Sequence, residues 1–299
     1  MGSISRFGNM NPPEEYMARP YLMDREPFPI ADHLFFVGNL WCSSHLIDTG
    51  DGLILLDTPC ACGLPGLIRN IGLLGYQVRD IKYIVVSHAH TDHYGAVAAL
   101  QHMSGAKTFI GKIDAKDMRH PPEYLIRMGK NFGHYNEFFI PDVELEDGDE
   151  ISLGDTRIRC VVTPGHTSGV MSHFWKTRAG GKLWNVGIYG GAGFLALSRE
   201  NLKKNGQPLI LREEFIRSID KVWNEKVDIM LGNHPFHNDV YQKHQRVENG
   251  EKDAFIDPEE WHRYLGGLKQ EYKDFLELSP EEVAGRFGKS RLLEYYGIP

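Results

Sequence analysis

The sequence predicts one α+β domain, residues 29–299, containing two sheets and preceded by an arm over residues 1–28. Three observations carry this prediction. Short apolar, β-branched runs bounded by Gly, Pro and Asp recur from His33 to His234, with the length and spacing of strands rather than helices. Helical spacing breaks in at 63–74, 95–101, 212–224 and from Pro258 onward. The two halves share a weak strand-strand-helix likeness with no linker-like stretch between them. The 299 residues, 41% apolar, can bury a large core, and the 32 glycines suit many tight connections.

Each element follows in order. Residues 1–28 are rich in Pro, Glu and Met without periodicity, which predicts an arm lying over the body. Strands are predicted at 33–38, 44–49 and 52–57, the last two joined by Gly50-Asp51-Gly52, so this region reads as an antiparallel meander. A helix over 63–74 closes at Gly75, and Ile81-Lys82-Tyr83-Ile84-Val85-Val86 is a buried strand. After Ser87–His93 a helical run follows at 95–101, with Thr91 or Asp92 as its cap. A short strand at 108–110 and a short helix at 113–118 come next. The aromatic, basic stretch from Pro121 to Phe139 is read either as a flap over a pocket or as an irregular covering of the core.

Beyond it, 143–154 and 156–163 alternate like the two strands of a hairpin and end in Pro164-Gly165-His166-Thr167. Strands at 170–176 and 182–188 lead into Tyr189-Gly190-Gly191-Ala192-Gly193-Phe194, a loop flexible enough for close backbone approach to a ligand. No helix with a lysine or threonine partner follows these glycines, which weighs against a phosphate cradle. An amphipathic helix over 212–224 precedes the strand 227–231 and its terminal Asn233-His234-Pro235. The tail from Pro258 is helical, with Trp261, Tyr264, Leu265, Leu268, Tyr272 and Phe275 at core spacing.

Composition excludes several classes of function. A net charge of −7 with no dense run of Lys or Arg excludes a nucleic-acid surface. No stretch reaches the roughly 20 apolar residues of a membrane span. The first residues lack the apolar core of a secretory signal, so a cytoplasmic location is expected, or a periplasmic one if a leader has been removed. Cys42, Cys60, Cys62 and Cys160 form no zinc-ribbon or disulfide pattern. Cys60-Ala61-Cys62 reads as small residues in a tight loop ahead of a redox-active or substrate-side thiol.

The chemistry concentrates at three strand ends. Ser87-His88-Ala89-His90-Thr91-Asp92-His93 packs four metal-competent side chains into six positions, and His166 and His234 each end a later strand. Imidazole and carboxylate at this density are what zinc requires. His88, His90 and His166 are predicted to hold one Zn2+ and Asp92, His93 and His234 a second, with an open position at each for a shared water. Two adjacent cations lower the pKa of that water until hydroxide exists near neutral pH. Asp92, an acceptor only when ionised, is the predicted catalytic residue because it both binds metal and orients the nucleophile.

His88-Ala89-His90-Thr91-Asp92-His93, Thr163-Pro164-Gly165-His166-Thr167 and the late His234 resemble the metallo-β-lactamase superfamily over residues 27–275. The resemblance implies a four-layer αβ/βα sandwich, two central mainly antiparallel sheets flanked by helices, with two metals between the sheets. It also makes Asp57 similar to an aspartate that braces the metal loop, with a turn-capping aspartate as the equal alternative. Many hydrolases of that superfamily carry a bridging aspartate after the Gly-His-Thr segment, whereas here the strand ends Val186-Gly187-Ile188-Tyr189-Gly190. This sets glyoxalase II, lactonase and tRNA-processing patterns apart. The remaining likeness is to the third subclass of metallo-β-lactamases, with a histidine in place of the cysteine ligand; Arg25–Gly38 and Asn233-His234-Pro235 resemble it too. Serines that grip the substrate carboxylate in those enzymes have no counterpart in Tyr189–Phe194.

The expected function is a zinc-dependent hydrolase that opens a carbonyl substrate, a small molecule of the β-lactam type. An ester, lactone or thioester hydrolase is the alternative, and a non-catalytic metal-binding scaffold a third reading. Among the other histidines, His237 reads as a solvated loop residue ahead of a metal or substrate contact. His173 reads as a hydrogen-bonded core or surface residue, while His45 and His134 could each reach a pocket edge.

Overall fold

The computed structural model describes residues 5–133 and 137–298, with side chains throughout except at 131–133. Alternation and β-branching place seven strands in a first sheet: β1 (Phe28–Ala31), β2 (Leu34–Phe36), β3 (His45–Asp48), β4 (Leu53–Leu56), β5 (Ile81–Val85), β6 (Lys107–Gly111) and β7 (Val143–Leu145). They lie in sequence order. The meander β1 to β4 is antiparallel, and β4 to β7 run parallel because helices carry the chain back between them. β1 lies where the sequence reading has no strand; its Pro29 is tolerated because β1 is the edge of the sheet.

The second sheet holds β8 (Glu150–Leu153), β9 (Thr156–Val162), β10 (Met171–Ala179), β11 (Lys182–Ile188) and β12 (Ile229–Leu231) in the order β12-β11-β10-β9-β8. Only β11 and β12 pair in parallel there, so both sheets are mixed. The expected single strand over 143–154 is divided. Val143 pairs with Phe109 in the first sheet, and Glu150 pairs with Arg159 in the second. Between them Asp147-Gly148-Asp149 turns the chain, with Gly148 at φ +88° and the Asp149 N–H bonded to Glu146 O, so the chain changes sheets at a tight turn.

Three buried clusters define four layers. Phe36, Ile54, Leu56 and Val85 meet Ile158, Met171, Val186 and Leu231 between the sheets. The outer face of the first sheet packs Leu55 and Ile84 against Leu67, Ile71, Leu100 and Ala115, from helices Leu64–Leu73, Val97–Ser104 and Lys112–Arg119. The outer face of the second packs Val161, Phe174 and Met230 against Phe215, Ile219, Trp261 and Leu265, from helices Leu211–Val222 and Glu260–Leu276. Helix, sheet, sheet and helix therefore stack as the αβ/βα sandwich.

Local differences have physical reasons. Thr91 and Asp92 do not cap the helix of residues 97–104; a separate turn, Thr91–Tyr94, precedes it, and Asp92 faces His93 and His234 instead. The aromatic stretch contains a helix, Glu123–Gly133, that begins after Pro121-Pro122 and buries Leu125. His134, Tyr135 and the Phe132 side chain lie outside the described residues. All four cysteines are free, and burial pushes the Cys62 thiol up to about 12, far from the reactive thiolate that a redox role needs. Among the described residues no helix is long and apolar enough to cross a membrane.

Candidate metal centre

The end of β5 cannot continue as strand past Val86, because the next seven residues turn back on themselves. The His90 N–H bonds to His88 O at 2.9 Å, and the His93 N–H to His90 O at 2.8 Å. This turn aims His88, His90, Asp92 and His93 at the gap between the sheets. The loop after β9 brings His166, and the loop after β12 brings His234. The Met171 N–H, at the start of β10, donates to Ser87 O at 2.9 Å and ties the two sheets together beside the cluster.

Two triads result. One ligand atom from each of His88, His90 and His166 lies within 4.8 Å of the others, and the same holds for Asp92, His93 and His234. Ring centroids of His88 and His93, one from each triad, are 4.2 Å apart, so the triads adjoin. In the second, Asp92 Oδ2 lies 3.6 Å from Nε2 of both His93 and His234. All six predicted ligand residues are brought together.

Hydrogen bonds behind the rings fix which nitrogen points inward. Asp57 accepts the Ser87 N–H at 2.7 Å and the Ser87 hydroxyl at 2.8 Å, while His93 Nδ1 lies 3.0 Å from the same carboxylate. Since the Ser87 hydroxyl proton goes to a carboxylate, its oxygen is left to accept from His88 Nδ1, 3.0 Å away. His88 Nε2 is then a buried lone pair with no partner among the described residues. His166 Nδ1 donates to Gly193 O, and His234 Nδ1 to Trp41 O at 2.6 Å. Such acceptors behind the ring are what orient metal-binding imidazoles.

Electrostatics agree with that arrangement. Burial pulls His166 and His234 down to about 4, and it pulls His88 and His90 well below the ordinary value, helped by the neighbouring rings. Neutral imidazoles are the form that ligates. Burial works against the Asp92 carboxylate, but His93, His234 and His90 together hold it below its usual range. His93 is the exception: burial works against its charged form, but Asp92 and Asp57 beside it outweigh burial and hold it above the ordinary imidazole value. An orphaned inward nitrogen, neutral rings and a carboxylate form a set that could hold metal ions.

Asp57 thus takes the bracing position; its backbone is left-handed at φ +55°. A second brace went unread in the sequence. Asp114 accepts the Ala89 N–H at 2.8 Å and the Thr167 hydroxyl at 2.7 Å, clamping both metal loops at once, and burial raises it to about 6. Its local signal, an aspartate in the first turn of a helix, is shared with ordinary caps. His237 is not a solvated loop residue: it is 3% exposed, its ring lies 5.2 Å from that of His234, and Nδ1 lies 3.0 Å from Asn233 Oδ1. His45 is buried on β3 against Phe36 rather than at a pocket edge. His173 is buried on β10 with neither ring nitrogen hydrogen-bonded among the described residues.

His88, His90, Asp92, His166 and His234 floor a cavity of about 210 Å³ walled by Arg6–Asn11, Trp41, Met128, Gly193, Leu195, Ala196, Phe236 and His237. The glycines of Tyr189–Phe194 serve the protein itself. A Cβ at Gly190 would come within 2.0 Å of Met171 O, and one at Gly193 within 2.8 Å of His166 Cε1. A larger cavity of about 780 Å³, lined by Asp48, Arg157, Arg159, Trp175 and Arg178, lies toward the other strand ends and contains none of the six residues.

Residues 38–176 match the model of the metallo-beta-lactamase superfamily. A metallo-beta-lactamase of Cronobacter sakazakii, solved as a HARLDQ-motif mutant, is 31% identical with a TM-score of 0.73, over 84% of this chain and 97% of that one. The chain belongs to the metallo-beta-lactamase superfamily and is a metallohydrolase. Within it, the subclass B3 enzyme BJP-1 of Bradyrhizobium japonicum is similar over 90% of this chain and 98% of its own, with a TM-score of 0.77 and 26% identity. An N-acyl homoserine lactonase of a Bacillus species is 26% identical over 174 residues, 48% of this chain and 61% of that protein. The chain spans from about a quarter to three fifths of the length of its curated relatives.

Proposed function

We propose that this protein is a zinc-dependent hydrolase that opens the carbonyl of a β-lactam, with His88, His90 and His166 holding one zinc and Asp92, His93 and His234 the other. The observation that carries the reading is the composition of the cavity. Five of the six triad residues line it, with His93 buried behind them, and Asp92 is the only carboxylate among the described residues that line it. At the end of β11, where a bridging aspartate would stand, Tyr189 is buried instead. Likeness to subclass B3 structures over nearly their whole length supports the same substrate class.

Zinc held by these residues supplies Lewis-acid activation of water and of the substrate carbonyl. The chain's own groups do the rest. Asp92, kept ionised by the three histidines around it, accepts a hydrogen bond from the attacking water and sets its direction. The Asp57–Ser87–His88 chain and the Asp57–His93 contact hold two imidazoles in the tautomer that faces inward. Trp41, Phe236 and Met128 offer apolar walls that exclude bulk water from the reacting carbonyl.

The lactone and ester reading is favoured by one observation, the extended match to an N-acyl homoserine lactonase. Rates on a chromogenic cephalosporin, a carbapenem, and a panel of lactones and esters, measured on zinc-loaded protein, separate the two. Cephalosporin or carbapenem turnover above that of free zinc, abolished in His90→Ala, is the expected result. Turnover confined to lactones or esters overturns the β-lactam assignment.

A further inference from the structure

We propose that Arg6, on the N-terminal arm, is the anchor for a carboxylate on the substrate, and that the arm thereby sets the specificity of the metal cavity. The proposal rests on that cavity being where substrate meets the metals. Among the described residues lining the cavity, Arg6 is the only Lys or Arg. The loop Tyr189–Phe194 offers an anion no charged side chain, and its one hydroxyl, on Tyr189, is buried.

The arm is fastened in place by contacts far along the chain. The Ser5 hydroxyl bonds Glu271, and the Phe7 ring lies 5.3 Å from Tyr264 and 5.9 Å from His237. Asn9 Nδ2 donates to Phe287 O at 3.0 Å, the Arg291 N–H returns to Asn9 O at 2.9 Å, and the Ser290 hydroxyl donates to Asn11 O at 2.5 Å. Arg6 is therefore carried on a fixed wall, so a ligand need not order a loose segment to reach it.

The ion pair that Arg6 makes leaves capacity for a ligand. Its Nη2 meets Asp239 Oδ2, while Asp239 Oδ1 accepts the Tyr295 hydroxyl, so the aspartate does not grip the guanidinium fork with both oxygens. A guanidinium carries five N–H donors in a plane, and this side chain remains 41% exposed. A half-exposed pair of this kind contributes little and readily shares its cation with a second carboxylate. Penicillins, cephalosporins and carbapenems carry such a carboxylate beside the reacting ring, and simple lactones do not.

Binding without turnover tests this. Zinc-loaded protein is titrated calorimetrically with 3-mercaptopropionate and with 3-mercaptopropionamide, whose thiolates suit the metals and whose far ends are a carboxylate and its uncharged amide of nearly the same size. The wild type is expected to prefer the acid by about tenfold, the scale of one charge-assisted hydrogen bond. Arg6→Gln should bring the ratio close to one while leaving amide affinity unchanged, and Arg6→Lys should keep a preference for the acid. A preference that survives Arg6→Gln, an absent preference in the wild type, or equal loss of both probes in Arg6→Gln overturns the proposal; equal loss would assign Arg6 to holding the arm. Because no hydrolysis is read, failure of β-lactam turnover leaves this outcome separately decided.

Discussion

At the scale of single residues, the site depends on groups that never touch the metals. Asp57 holds a left-handed backbone that costs a non-glycine residue roughly 1 kcal/mol or more, and it is kept there by the donors from Ser87 and the contact with His93. Asp57→Ala is expected to weaken zinc binding about 10- to 100-fold, read by competition with a chromophoric chelator, with the far-ultraviolet circular dichroism unchanged. An unchanged affinity would remove Asp57 from the bracing role.

The buried histidines that face no metal carry a separate pH dependence. Burial pulls His45 and His173 to about 4 from 6.5. Between those values the unfolded chain takes up protons that the folded chain refuses. Stability is therefore unaffected by these two groups above about pH 6.5 and falls as the pH drops toward 4, by about 1.4 kcal/mol per histidine per pH unit. Denaturant titrations of metal-free protein at pH 7, 6 and 5 check this, and His45→Gln or His173→Gln should each flatten the slope. Neither residue could be ranked in the sequence, since a lone histidine in a strand reads the same whether it is packed or exposed.

Among the elements, the loop after β11 and the N-terminal arm position the site. Gly193 lets the chain pass so close to His166 that an added Cβ would meet Cε1 at 2.8 Å. Gly193→Ala is expected to displace that ring and lower turnover about 100-fold, as misplacement by about 1 Å does, with zinc content falling at the first triad. Full zinc content with full activity would show that the ring tolerates the methyl group. The arm contributes packing as well as Arg6: Phe7 is buried against Tyr264, so Phe7→Ala should cost about 3 kcal/mol in chemical denaturation, whereas Leu73→Ala, at an exposed position, should cost well under 1.

The same elements mark where local sequence signals run out. The strand ends bearing His88, His166 and His234 were legible because each apolar run is short and stops at a turn. The helix Glu123–Gly133 was not, since the aromatic stretch runs on past its end to Phe138 and Phe139, and across the whole stretch the apolar period that the helix itself keeps is blurred. The division of 143–154 between two sheets was hidden for another reason: alternation is the same whichever sheet a strand joins, and only the turn at Gly148 redirects the chain.

For the molecule as a whole, the six residues are divided between the two halves of the sandwich. His88, His90, Asp92 and His93 follow β5 of the first sheet, and His166 and His234 follow β9 and β12 of the second. Metal held by both triads would therefore tie the sheets together and stabilise the native state by mass action. Removal of metal with a chelator is expected to lower the Tm by several degrees, with recovery that tracks free zinc. A Tm indifferent to chelator would mean that the native state binds no metal there in preference to the unfolded chain.

The sequence by itself determined the two-sheet class and all six residues of the triads, because strand runs are local and the ligands lie either within six positions of one another or at strand ends. Only the tertiary structure decided that Asp114 clamps two loops, that His237 is buried beside His234, and that Arg6 lines the cavity against Asp239. The contacts of Asp114 and Arg6 join residues separated by tens to hundreds of positions and leave no periodic trace in the sequence around either partner, while His237, only three residues from His234, is buried by the distant Phe7 and Tyr264. They exist once the sheets have packed and brought both ends of the chain to the same edge.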